Sequence, residues 1–105
     1  MNYHTNKRDL LSLKILTPQD WVTFRQKFNS IYPDFFPLMH SKGYGLTDSE
    51  ERLLSLEKLN LTSSNIAHIL GISLQSVYTA RYRLRKRLNV PDKESIIGFL
   101  ENRYP

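Results

Sequence analysis

Residues 62–89 read TSSNIAHILGISLQSVYTARYRLRKRLN, and the fold turns on this stretch. Thr62 or Ser63 can cap a short helix that carries Ile66, Ala67, Ile69 and Leu70 on one side. Gly71-Ile72-Ser73 then reads as a tight turn: Gly71 can take a positive φ at the end of the first helix, and Ser73 can cap the next. The second helix spans about 74–89. On a wheel turning ~100° per residue, Val77, Leu84 and Leu88 share one stripe with Ala80 beside it. Gln75, Thr79, Tyr82 and Lys86 lie opposite. Tyr78 and Arg83 flank that opposite face, and Arg81 and Arg85 sit nearer the core boundary.

A short helix, a glycine turn and a longer helix form the helix-turn-helix arrangement, whose second helix enters the major groove of DNA. The outward chemistry of the second helix agrees. No carboxylate occurs between Leu74 and Leu88, and five cations do: Arg81, Arg83, Arg85, Lys86 and Arg87. The middle of the outward face, with Gln75, Thr79 and Tyr82, can reach base edges. Ser76, Arg81, Arg83, Arg85 and Lys86, with Thr62, Ser63 and Ser64 at the start of the short helix, are the candidates for phosphate. A plainer reading, a solvated Arg-rich face, is common for an arbitrary helix. The turn, the cap and the interleaved tyrosines favour DNA over it.

The flanks complete an all-α chain of about six helices. Downstream, Val90-Pro91-Asp92 breaks the long helix, and Lys93 to Asn102 forms a last helix with Ile96, Ile97, Phe99 and Leu100. Upstream, Thr47 and Glu50 have capping-box spacing ahead of a helix over about 48–60, with Leu53, Leu54, Leu56 and Leu59 on its apolar face. Ser41 to Gly45 is a connector. Before it, Thr17, Pro18 and Asp20 start a helix whose face bears Trp21, Phe24, Phe28 and Ile31. Pro33 ends it or bends it, and Asp34 to His40 forms a short helix burying Phe35, Phe36, Leu38 and Met39. Residues 1–9 read as polar and loose. Residues 1–45 are thus an aromatic-rich helical extension packed on a DNA-binding domain at 46–105.

Composition narrows the classes. The chain has 105 residues, 40% hydrophobic and 24% charged, which is a globular composition. Fifteen Lys and Arg against ten Asp and Glu leave +5, a balance that suits a polyanionic partner. With no cysteine, disulfides, thiolate zinc sites and thiol catalysis are excluded. No apolar run reaches the ~18 residues of a membrane span, and the start has no signal-peptide pattern. The expected setting is cytoplasmic, whether stand-alone or as the cytoplasmic part of a larger membrane-anchored sensor. His4, His40 and His68 are scattered and read as ordinary histidines, not metal ligands. Asp48, Glu50 and Glu51 read as an acidic first helical turn, not a catalytic pair. No enzyme, cofactor, metal or small-molecule substrate is expected.

Leu46-Thr47, Glu50, Ile66-Ala67, Leu70, Ile72-Ser73, Ser76-Val77, Leu84, Lys86-Arg87-Leu88 and Val90 resemble the LuxR/GerE-type helix-turn-helix of bacterial transcriptional regulators. The resemblance covers about 46–100. It implies a four-helix, winged-helix-like domain that regulates transcription, often as a dimer through the last helix. Here that places a homodimer contact at Ile96, Ile97, Phe99 and Leu100. Position by position, the resemblance also implies base contacts by Tyr78, Thr79 and Tyr82. Ile15-Leu16-Thr17-Pro18, Trp21, Phe24, Phe28, Tyr32-Pro33, Phe35-Phe36 and the run Ala80 to Lys86 are similar to the C-terminal ends of Bacteroidetes sensor-regulators, which implies an upstream sensor domain as a further partner. Two positions depart from the family: Tyr78 stands where Lys is common, and Ala80 where His is common. The alternative is a degenerate helix-turn-helix that docks a partner regulator or RNA polymerase.

Overall fold

A computed structural model describes residues 6–102. All regular structure among them is helical: α1 (Lys7–Leu11), α2 (Pro18–Ile31), α3 (Phe35–Ser41), α4 (Asp48–Lys58), α5 (Ser63–Leu70), α6 (Leu74–Leu88) and α7 (Ile96–Asn102). No described helix is long and apolar enough to cross a membrane.

Side-chain caps set most of the boundaries. Thr17 and Asp20 close a capping box at α2, with Pro18 at the first position. Thr47 and Glu50 do the same at α4, while Thr62 and Ser73 cap α5 and α6. Each cap satisfies backbone N–H groups that a first turn leaves open. At the far ends, Gly71 (φ 66°) and Asn89 (φ 57°) turn left-handed and stop α5 and α6.

Three local expectations are corrected. Residues 6–9 are not loose: Asn6 and Asp9 form a reciprocal capping box that starts α1, and Leu10 is fully buried. Residues 1–5 lie outside the described part. The last helix begins at Ile96 and not at Lys93, because 91–94 make a turn closed by Glu94 N–H to Pro91 O at 3.0 Å. Ser95 then caps α7, its Oγ accepting from Gly98 N–H at 3.1 Å. Leu38 is 38% exposed on the outer side of α3, whereas Phe35, Phe36 and Met39 are buried.

One hydrophobic core unites both halves of the chain. Trp21, Phe24, Phe28, Phe35, Phe36 and Met39 pack in the same cluster as Leu53, Leu54, Leu56, Leu59, Val77, Leu84 and Leu88. Within it the rings meet at angles that suit their quadrupoles, such as Phe28 edge-on to Phe35 at 5.4 Å and Trp21 edge-on to Phe36 at 6.3 Å. Polar ties cross the same seam. Ile15 N–H donates to Ile69 O at 2.8 Å, Lys14 Nζ lies 2.8 Å from His68 Nε2, and Tyr44 Oη donates to Leu100 O at 3.1 Å. The extension is therefore part of the core of the later helices and not a separate tail.

Candidate nucleic-acid interface

The α5–turn–α6 unit is held rigidly from behind. Val77, Leu84 and Leu88 bury the inner stripe of α6. Ile72 N–H reaches back to Ala67 O at 3.1 Å, which closes the turn on Gly71. Ser73 Oγ accepts from Ser76 N–H at 3.0 Å and donates to Ser76 Oγ at 2.9 Å. These bonds fix the angle at which α6 leaves α5.

Two arginines of α6 act as struts. Arg81 donates through Nε to Glu57 of α4 and through Nη1 to Ser63 of α5. Arg87 donates to both carboxylate oxygens of Glu50 and to the carbonyls of Tyr44 and Gly45. Partial burial pushes the Glu50 carboxyl up, but the Arg87 hydrogen bonds and charge and the Thr47 bonds outweigh it, so its pKa lies below the ordinary carboxylate value. The same hydrogen bonds to Glu50 raise the Arg87 pKa against its slight desolvation. A third arginine, Arg85, braces the chain elsewhere. Its Nη1 donates to Pro91 O at 2.9 Å and Glu94 O at 2.8 Å, pinning the linker to α7.

Of the residues expected on phosphate, Arg81, Ser63 and Arg85 are thus committed within the chain. Thr62 Oγ accepts the α5 cap bond from Asn65 at 3.2 Å, Ser76 is exposed but bonded to Ser73, and Ser64 is exposed. Arg83 and Lys86 are exposed, and no described carboxylate pairs with either. Lys86 Nζ lies 5.5 Å from the Tyr82 ring centre. Of the residues expected on base edges, Gln75 is exposed, Tyr78 is 50% and Tyr82 60% exposed, and Thr79 is half-buried. The structure therefore brings Gln75, Tyr78, Tyr82, Arg83 and Lys86 onto one open face, with Thr79 half-buried among them.

The residues expected at a dimer contact divide. Ile96 and Leu100 are buried in the chain's own core, where α7 packs on α3 and α4, and are corrected from surface to core. Ile97 and Phe99 are half-buried against the same cluster.

A buried carboxylate that sequence reasoning missed sits behind α4. Glu51 is 5% exposed and accepts from Arg25 Nη1 at 3.1 Å, and it lies 2.9 Å from His40 Nε2. Arg25 also stacks over Phe36 at 4.5 Å. The acidic first turn of α4 thus holds two clamps, Glu50 outward to α6 and Glu51 inward to α2 and α3. Helical spacing alone carried a signal: Glu51 falls four residues before Ser55 and three before Leu54, on the buried side. Among the described residues, no group of three or more His, Cys, Asp or Glu side chains could hold a metal.

Comparison of the chain with protein-family models, with curated proteins and with solved structures finds no match.

Proposed function

We propose that the chain binds double-stranded DNA through a helix-turn-helix formed by α5 and α6, with α6 in the major groove, and that it serves transcription regulation in the manner of LuxR/GerE-type regulators. The observation that carries this reading is the division of labour among the cations of α6. Arg81, Arg85 and Arg87 are consumed in holding the helix, while no described carboxylate pairs with Arg83 or Lys86, which share the face that also presents Gln75, Tyr78 and Tyr82. A positive face of amide and phenol groups on a rigid helix suits base edges at its centre and phosphates at its margin. The exposed Ser64 at the start of α5 lies where helix N–H groups can meet a phosphate.

Selection of duplexes from a random pool tests the reading. Enrichment of one motif, lost when Tyr78 and Tyr82 are replaced by Ala, supports it. Recovery of no duplex at low salt contradicts it. The second reading, a protein-docking module, is favoured by Ile72 and Leu74, which are about two-fifths exposed beside the tyrosines.

A further inference from the structure

A cavity of about 490 Å³ opens between the segment before α2, the N-terminal half of α4 and the edge of α6. That volume is in the range that encloses small organic ligands. Its walls are apolar, with Ile15, Leu53, Leu70, Val77, Ala80 and Leu84 among them. Its charges do not balance. Glu50 and Arg87 line it but neutralise one another. Arg52 and Arg83 line it too, and no described carboxylate pairs with either. Arg52 has its Nε buried without a hydrogen-bond acceptor, and its guanidinium lies 5.7 Å from the Trp21 ring.

We infer that this cavity binds a small amphipathic carboxylate, with its apolar body against Leu53, Val77 and Ala80 and its carboxylate on Arg83 and Arg52. The guanidinium fork matches a carboxylate in two parallel hydrogen bonds. An alcohol of the same length would gain the apolar contact alone, and an ammonium would meet two like charges. Arg83 belongs both to this cavity and to the open face of α6. Occupancy therefore draws a cation off that face and weakens DNA binding, a consequence that rests on the proposed function. Binding of the carboxylate itself does not rest on it.

The test is run on the full chain without DNA. Octanoate, octanol and octylammonium are titrated separately into labelled protein, and backbone amide shifts are followed by NMR. The expected result is saturable movement of the Leu16, Leu53, Ala80 and Arg83 amides with octanoate, at an affinity at least tenfold above that for octanol, and none with octylammonium. Arg83→Met should weaken octanoate at least fivefold while leaving octanol unchanged, and Ala80→Phe, which fills the cavity, should abolish both. Arg83 is exposed, so its variant keeps the test open if Ala80→Phe does not fold. No saturable shifts with octanoate, equal affinity for octanol, or octanoate binding that survives Arg83→Met would overturn the inference.

Discussion

Leu16 lies over Gly71: a Cβ at position 71 would stand 2.5 Å from Leu16 Cδ2. The segment before α2 thereby covers the turn that aims α6, and the adjoining bond from Ile15 N–H to Ile69 O holds it there. Gly71→Ala meets this contact and also a left-handed φ, which costs a non-glycine residue about 1–2 kcal/mol. Leu16 is 60% exposed and can swing outward. The loss should therefore be about 1–2 kcal/mol by urea unfolding, and nearly the same in a Leu16→Ala background. A loss that disappears in that background would assign it to the contact and not to the backbone.

Glu51 should matter more than its place in a charged helical turn suggests. Removing its charge leaves Arg25 and His40 facing a neutral amide beside the aromatic core. Both partners are partly solvated, so the cost falls below the 3–5 kcal/mol of a fully buried pair. Glu51→Gln should lower stability by about 2 kcal/mol, and Glu50→Gln by about 0.5–1 kcal/mol, as befits an outer ion pair and cap. Equal losses in urea unfolding would remove the distinction between the inner and outer clamps.

The Glu50–Arg87 clamp also gives a pH signature. The Glu50 pKa is lowered in the folded chain. Its contribution is then present above the ordinary carboxylate pKa and is lost as pH falls through the lower folded value. The stability gap between the wild type and Glu50→Gln should be constant near neutrality and close in acid. A gap that widens on acidification contradicts the assignment.

Leu100 tests the correction at α7. It is fully buried within the chain, so Leu100→Ala should destabilise the monomer by about 2–4 kcal/mol, as core truncations do. Unfolding measured at two protein concentrations separates the readings. A loss that is independent of concentration marks a core residue; one that vanishes on dilution marks an interface.

Much of this was legible in residue patterns. Thr17, Thr47, Thr62 and Ser73 announced their helices because a cap is a local device, and Gly71 announced its turn for the same reason. The inner stripe of α6 followed from helical periodicity. What a wheel could not give is which polar groups find partners across helices. Arg81, Arg83, Arg85 and Arg87 are alike in sequence, and only Glu57, Glu50 and the carbonyls of 91 and 94, brought near by the fold, separate struts from the open cation. Ile96 and Leu100 were misplaced for a related reason: an apolar last helix looks the same whether it faces a second chain or the aromatic core that α2 and α3 supply. Asn6 and Asp9 did carry a capping-box spacing, but without an apolar run long enough to draw attention to it.

The central claim, that the open face of α6 meets DNA, is tested most directly by the salt dependence of duplex binding. Fluorescence anisotropy of a labelled duplex should show affinity falling steeply between 50 and 200 mM salt, as about one counterion is released per phosphate neutralised. In the Arg83→Ala, Lys86→Ala double variant the slope of log affinity against log salt should be shallower by about two, with folding unchanged. No binding at 50 mM salt, or a double variant with the wild-type slope, would contradict the account.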